Sequence, residues 1–272
     1  MTSMQQMYDF GAARVLMSGG SGVLGRTLVR ALLAHGAQVI IVSRTPAQAM
    51  QHFAADPGRE RLTCLAADLA QPAALTRAVA EALADGPITH LVNGAGGNRP
   101  QATTGSQAFA DIPLAAMHEV MDVNVFSAIQ LSQAVVPHFA ARGSGCVLNI
   151  SSISTTRPLT RVVSYSVAKA GLDAYTRWLA THLAREYAPE IRVNALAPGF
   201  FLTEQNRFLL LESDQTTLTE RGRQILSHTP MGRFGTPDDL VGAFLWLLSP
   251  AAAFVTGQII TVDGGFSAYS GV

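Results

Sequence analysis

Seven short runs of continuous apolar character recur along the chain: RVLMS at 14–18, QVIIVS at 38–43, LTCLAA at 62–67, ITHLVN at 88–93, GCVLNIS at 145–151, IRVNALA at 191–197 and QIITV at 258–262. Alternating apolar and polar residues would mark strands with one wet face; continuous runs mark strands covered on both faces, as in a parallel sheet. Segments 26–35, 72–84, 114–141, 163–187 and 236–248 instead space their apolar residues for one helical face. Strand and helix alternate in this order, which predicts an α/β fold: a doubly wound parallel sheet of about seven strands with helices on both faces. No repeat, low-complexity tract or charge block interrupts it, so residues 1–272 read as a single domain. The exception is 198–235, after the sixth strand. It is too polar and turn-rich for a crossover helix and too long for an ordinary connection, and is expected to be a lid.

Composition narrows the class. Hydrophobic residues make up 48% and charged residues 14%, below the roughly one quarter charged in average soluble proteins, so apolar surface is expected to be covered between subunits. The 19 basic and 19 acidic residues cancel to +0, leaving no electrostatic footprint for nucleic acid or an anionic membrane. Cys64 and Cys146 lie in apolar runs without metal-ligand or redox spacing, which fits a reduced, cytoplasmic setting and no metal site. Neither a basic leader followed by an apolar stretch nor a run of about 18 apolar residues occurs, so secretion and membrane spanning are not expected.

The first strand runs into SGGSGVLG, that is Ser18, Gly19, Gly20, Ser21, Gly22, Val23, Leu24 and Gly25, which opens a helix. Backbone amides and a helix N-terminus at this place can receive a pyrophosphate, and Gly20, Gly22 and Gly25 satisfy GxGxxG. Glycine clusters serve many turns; the position after the first strand is what points to a dinucleotide and a Rossmann-type domain. The end of the second strand, where an NAD enzyme usually carries an acid for the ribose hydroxyls, holds Ser43 and Arg44. Arg44 can pair with a 2′-phosphate, which favours NADP over NAD, or it can cap the strand end as a surface arginine. Asp68, after the third strand, can accept from the adenine amine or act as the N-cap of the helix at 72–84.

The segment 149–169 reads NISSISTTRPLTRVVSYSVAK. Tyr165 and Lys169, four apart on one helix, share a face. Hydride transfer to a ketone needs a proton donor at the developing alkoxide, and a tyrosine of free pKa around 10 serves near neutrality when cations lie beside it. Lys169 and an oxidised nicotinamide would supply that charge. Ser152 can bond the substrate oxygen, and Asn124 can hold a water leading from Lys169 to solvent. A YxxxK alone on an amphipathic helix would more often be a half-buried tyrosine beside a surface lysine.

Taken with NGAG at 93–96 and PGFFLT at 198–203, these residues resemble the classical short-chain dehydrogenases/reductases, from about residue 12 to the C-terminus. The resemblance implies Tyr165 as catalytic acid/base, Lys169 on the nicotinamide ribose, Ser152 orienting the carbonyl and Asn124 completing a proton relay. It implies a cofactor bound by the glycine-rich loop, Ser43, Arg44, Asp68, Leu69, Asn93, Gly94, Ala95, Pro198, Gly199, Phe201 and Thr203, with Ile191 to Asn194 supporting the sheet. It also implies a homotetramer, with helices 114–141 and 163–187 packing across a dimer interface. One departure stands out: family members usually space their glycines TGxxxGxG, whereas here Ser18 replaces the threonine and Val23 stands at the middle glycine.

A narrower resemblance covers NGAGGNRPQATT (93–104), RPLT (157–160), PGFFLTEQNRFLL (198–210), LTERGRQILSHTPMGRFG (218–235) and VDGGFSAYSGV (262–272). These stretches are similar to the D-mannonate oxidoreductase (fructuronate reductase) branch and imply a keto sugar acid as substrate. A polyhydroxy acid needs hydroxyl partners and a cation, and Asn98, Arg99, Arg157, Glu204, Gln205, Asn206 and Arg207 offer both beside Ser152 and Tyr165. Arg157 is favoured as the carboxylate partner, and Arg207 is the residue that could swing in with the lid. Phe200 and Phe201 are expected to pack as lid core, and His228 to tie the lid to the body. The alternatives are another short-chain reductase, such as a gluconate 5-dehydrogenase or a 3-oxoacyl carrier-protein reductase, and a non-catalytic NADP-sensing protein.

Overall fold

Each of the seven apolar runs becomes a strand in the computed structural model, which describes residues 3–204 and 206–272. They are β1 (Arg14–Ser18), β2 (Gln38–Ser43), β3 (Leu62–Ala66), β4 (His90–Asn93), β5 (Gly145–Ile150), β6 (Ile191–Pro198) and β7 (Ile259–Val262). The sheet order is β3-β2-β1-β4-β5-β6-β7 and every pairing is parallel. The order reverses between β1 and β4, so the chain leaving these two strands goes on to helices on opposite faces of the sheet, and a crevice opens at their carboxyl ends.

The helices are α1 (Met4–Met7), α2 (Val23–Ala34), α3 (Pro46–Gln51), α4 (Pro72–Ala84), α5 (Leu114–Met121), α6 (Ser127–Arg142), α7 (Val163–Glu186), α8 (Arg207–Leu210), α9 (Glu220–Ser227) and α10 (Val241–Leu248). They cover both faces of the sheet. On one face Leu28, Leu32 and Leu33 of α2 join Phe53, Phe244 and Leu248 over β1 and β2. On the other, Leu75 and Val79 of α4 join Leu131, Val135 and Phe139 of α6 and Leu179 and Leu183 of α7. Among the described residues no helix is long and apolar enough to cross a membrane.

The sequence pattern differs from the structure where polar contacts override it. The expected helix at 114–141 is two helices joined by a π-helical turn, Asp122–Phe126, centred on Asn124. The helix expected from 236 begins as a 3-10 turn, Pro237–Leu240, held by a Thr236/Asp239 capping box. Asp68 does not cap α4. Gln71 is the N-cap, and the Asp68 carboxylate accepts from the Ala70 amide at 3.0 Å instead.

Residues 198–235 fold back on themselves. Phe201 pairs with Gly235 in a parallel bridge at the base, and Leu211 pairs with Leu218 between α8 and α9. A Cβ on Gly235 would lie 2.7 Å from the Phe201 ring, so only glycine admits that buried aromatic. The base is further fixed by Phe200, whose ring meets Phe266 edge-on at 5.1 Å.

All eight residues of β6 are buried, including Arg192 and Asn194. The Arg192 guanidinium donates to the carbonyls of Leu247 at 2.9 Å and of Leu248 and Ser249 at 3.3 Å, meeting the orphan acceptors at the C-terminus of α10. Asn194 pins the next loop, donating to Val255 O at 2.8 Å and accepting from Gln258 N at 3.0 Å. Replacing Arg192 with Met keeps the stem's volume and removes the donors. Unfolding in denaturant is expected to show a loss of about 1.5–3 kcal/mol, and a change below about 0.5 kcal/mol would mean that α10 holds without this cap.

Candidate active site

The crevice at the β1–β4 switch is built from glycines because two backbones must touch. Gly19 has φ 75°, and a Cβ there would lie 2.4 Å from the Gly94 carbonyl group. One on Gly94 would lie 2.8 Å from Ser18 O, and one on Gly25 2.1 Å from Gly19 O. Ser18 ties the two loops, its carbonyl accepting from Gly94 N at 3.1 Å and its hydroxyl from Ala95 N at 3.3 Å. Gly20 lies against Ile41 of β2. Val23, at the position of the family's middle glycine, is the first residue of α2, where the structure has room for its side chain. Gly22 is the N-cap and brings no side chain to the first-turn amides of Val23, Leu24 and Gly25, so those amides remain available to an anion.

From this loop a cleft of about 860 Å³ runs past Ser21, Ser43, Arg44, Asp68 and Leu69 on one side and Ala95, Gly96 and Arg99 on the other. Arg44 is exposed on its rim with no hydrogen-bond partner among the described residues, while the Ser43 hydroxyl accepts from Thr45 N at 3.2 Å. The glycine cradle, the uncapped helix and the cleft together fit an extended dinucleotide. Pro198 and Gly199 close β6, with Gly199 backed against Asp263. Phe201 is buried in the core rather than open to the cleft. Glu204, exposed, lies 3.6 Å from Arg26 of α2, so the 198–235 segment passes near the glycine loop.

At the other end, the exit of β5 and one stripe of α7 interlock. Tyr165, Lys169 and Asp173 lie one turn apart on α7, and each engages a consecutive residue of the β5 exit. Tyr165 hydrogen-bonds Ser152, Lys169 Nζ donates to Ile150 O at 2.7 Å, and the Ser151 hydroxyl donates to Asp173 Oδ1 at 2.5 Å. Below them Asn93, Asn149 and Thr176 form a buried chain of 2.8 Å hydrogen bonds across β4, β5 and α7. Burial pushes the Tyr165 phenol up, opposed by the Ser152 hydrogen bond, so it is protonated at neutral pH. Burial pulls Lys169 down to about 8, and the Asp173 charge holds it from falling further. Lys169 is the only lysine in the chain against 18 arginines, and unlike a guanidinium its ammonium can have its charge modulated by burial.

The π-turn brings Asn124 to this cluster, but not with a free carboxamide. Its Nδ2 donates to Gly97 O and Val120 O at 2.8 Å, and its Oδ1 accepts from Gly97 N at 3.1 Å. A Cβ on Gly96 would lie 2.5 Å from Asn124 Oδ1 and 2.9 Å from Lys169 Nζ, so the three residues converge on one point. Asn124 therefore fixes the Gly96–Gly97 backbone beside Lys169, and its side chain has no donor left for a relay water.

The residues expected to hold substrate divide. Asn98 Oδ1 is buried with no partner among the described residues, and so is the hydroxyl of Ser154, a residue the sequence reading did not single out. Arg157 is turned elsewhere: both Nε and Nη2 donate to Ser267 O, because the C-terminal tail crosses that position. Arg99 pairs with Glu119 at 3.3 Å. Asn206 closes a turn, accepting from Thr203 N at 2.8 Å and donating to Phe201 O at 2.7 Å. Arg207, the first residue of α8, has no ion-pair partner among the described residues, and Gln205 lies outside them. His228 bonds the Gln224 carbonyl and lies 6.5 Å from the Tyr269 ring, between segment and tail.

Residues 21–267 match the family described as Enoyl-(Acyl carrier protein) reductase. The oxidoreductase UxuB of Bacillus subtilis (strain 168) is 39% identical over 269 residues, 94% of this chain and 95% of that protein. A Haemophilus influenzae protein provisionally designated a D-mannonate oxidoreductase, solved with bound NAD, superposes with TM-score 0.88 at 31% identity, covering 96% of each chain. A gluconate 5-dehydrogenase from Burkholderia cenocepacia J2315, solved with NADP and tartrate, gives TM-score 0.84 at 31% identity over 98% of this chain and 99% of that one. The chain belongs to the short-chain dehydrogenase/reductase family, oxidoreductases that act with NAD or NADP.

The Asp173 charge is the part of this cluster that can be isolated by experiment. As the chain's single lysine, Lys169 gives one assignable carbon-13 resonance at Cε, expected to titrate at about 8 in the free protein. Asp173→Asn removes the charge that raises this value, so the midpoint should move lower and the ammonium should lose its proton at a lower pH. An unmoved midpoint would separate Asp173 from Lys169.

Proposed function

We propose that this protein interconverts a keto sugar acid and its alcohol with a nicotinamide cofactor, D-fructuronate and D-mannonate being the favoured pair. The supporting observation is a pair of buried polar atoms without partners among the described residues: Ser154 Oγ, two residues after Ser152 and with its amide donating to Ser152 Oγ at 3.2 Å, and Asn98 Oδ1, on the loop that follows Gly96 and Gly97 beside Lys169 and Asn124. A polyhydroxy substrate satisfies such atoms, whereas an acyl chain would leave them unpaired. The relatives provisionally designated a D-mannonate oxidoreductase and named a gluconate 5-dehydrogenase support a sugar acid equally, which keeps gluconate-type substrates as the second reading.

Bound along the cleft, the dinucleotide supplies the hydride taken up by the carbonyl carbon. The chain's own groups handle the proton and the charge. Tyr165 gives its phenolic proton to the carbonyl oxygen, and Ser152 holds that oxygen by a hydrogen bond. Lys169, with its pKa near 8, is mostly charged at neutrality and stabilises the tyrosinate left behind. Asn124 acts as a positioning residue through Gly97. Arg44, unpartnered on the rim, and the absence of an acid at Ser43 support NADP over NAD. Residues 198–235 act as the lid, joined to the nucleotide loop through Glu204 and Arg26.

Apolar side chains stand exposed on the outer side of α7 and its flanks, among them Val167, Trp178 and Tyr187, beside a groove of about 250 Å³ between α6 and α7. This supports an assembly of copies, a homotetramer by family resemblance, packed through these helices. The unpaired cysteines, Cys64 half-buried and Cys146 buried, suit a reducing cytoplasm.

Oxidation of NADPH and NADH in parallel with D-fructuronate, 5-ketogluconate and a 3-oxoacyl thioester tests the reading. Fast turnover of fructuronate with NADPH is expected, and Tyr165→Phe should lower it by about 10²–10⁴-fold while cofactor affinity is retained. Faster turnover of ketogluconate or the thioester would transfer the assignment to those enzymes. Light scattering should give the mass of four copies; a monomer would remove the proposed interface.

A further inference from the structure

Two arginines from separate elements lie near one another just ahead of α7, and among the described residues no acid is paired to either. Arg161 lies just ahead of α7, one turn before Tyr165, and holds φ 74°, a left-handed conformation unusual for a residue with a long side chain. Its carbonyl fixes that conformation, accepting from Thr104 N at 3.2 Å and from Thr103 Oγ1 at 2.5 Å. The 102–104 strip doing so is the continuation of the Asn98 loop, and Ala102 packs with Tyr165 in the small core beneath it. Arg221 comes from α9 in the 198–235 segment, and its Nη1 donates to Thr160 Oγ1 at 3.3 Å.

Nothing among the described residues neutralises the pair. Arg99, Arg157 and Arg233 are held by Glu119, Ser267 O and Asp239, whereas neither Arg161 nor Arg221 has an ion-pair partner. Partial burial and the like charge of Arg161 both pull Arg221 down. Thr160, the residue before Arg161, holds the Arg221 guanidinium, and two like charges brought close without an acid form an arrangement that an anion relieves.

We propose that Arg161 and Arg221 form a carboxylate site, taking the acid group of the substrate while Ser152 and Tyr165 hold its carbonyl. The inference rests on the sugar-acid reading above and gives that reading its cation. Arg157, the arginine nearest to Ser152 in sequence, is bound by the tail, and the charge comes instead from a residue four before Tyr165 and from the lid helix. A carboxylate bridging the two joins α9 to the start of α7, so filling the site also draws the 198–235 segment onto the body.

The test compares D-mannonate with the neutral polyol D-mannitol, each oxidised by holoenzyme at saturating NADP, in the wild type and in Arg161→Gln, Arg221→Gln and the double variant. Calorimetric titration of both compounds runs alongside. Each single variant is expected to lower the acid-to-polyol ratio of kcat/KM by at least about tenfold, chiefly through KM, with a matching loss of mannonate affinity. The double variant should lose less than the product of the two, because both residues hold one group. A wild type that prefers the acid, with variants that keep the same ratio, overturns the arginine pair and leaves the sugar-acid reading standing. A wild type that treats acid and polyol alike overturns both.

Discussion

Two chain segments can meet backbone to backbone only where neither carries a side chain in the way, and this site depends on such a contact. The loops leaving β1 and β4 touch at Gly19 and Gly94, where a single added carbon would overlap the opposite peptide. Ser18 fastens that contact by two hydrogen bonds, one from each of the first two amides beyond β4. Because the loops are locked there, the uncapped start of α2 faces the crevice and Gly96 is delivered to the edge of Lys169. The glycine-loop end of the cleft and the Lys169 end are therefore positioned by one close approach.

The second constraint is the buried ammonium. Placing a cation in the interior is costly unless its donors are used and its charge is answered. Here the Ile150 carbonyl takes the donor, and the Asp173 carboxylate, held by Ser151, answers the charge from one turn further along α7. A serine, a carbonyl and a serine at the end of β5 thus meet a carboxylate, an amine and a phenol on α7. That matching fixes the rotation of α7 against the sheet more tightly than apolar packing would, since a slip of one residue would unpair every member.

The alternation of strands and helices was legible because burial on two faces leaves a continuous apolar signature, and all seven strands follow it. The glycine loop and the Ser152, Tyr165 and Lys169 set were legible as spacing. Asn124 was legible as a residue and not as a geometry. Its periodicity is helical, and only the pairing of its carboxamide with Gly97 opens the π-turn. Arg157 misled because proximity to Ser152 along the chain says nothing of the tail that arrives from residue 267. Asp173 and Ser154 escaped because each looks like an ordinary helix or loop residue until burial shows its polar atoms held or orphaned. One sequence signal was available: a chain with 18 arginines keeps a single lysine, and that lysine is the cation buried at the β5 exit.

The pairing of Phe201 with Gly235 has a consequence for how such a protein can change. It closes the base of the segment, so the excursion can change length between its other ties to the body, such as Glu204 to Arg26, Arg221 to Thr160 and Met231 N to Gly264 O. Loop-closure entropy rises only by about 0.6 kcal/mol for each doubling of length. Insertions, deletions and exchanges between residues 202 and 234 can therefore accumulate at little thermodynamic penalty, while the nucleotide loop and the phenol, amine and serine stay in register. One scaffold can in this way diverge toward many alcohols by rewriting a detachable insert.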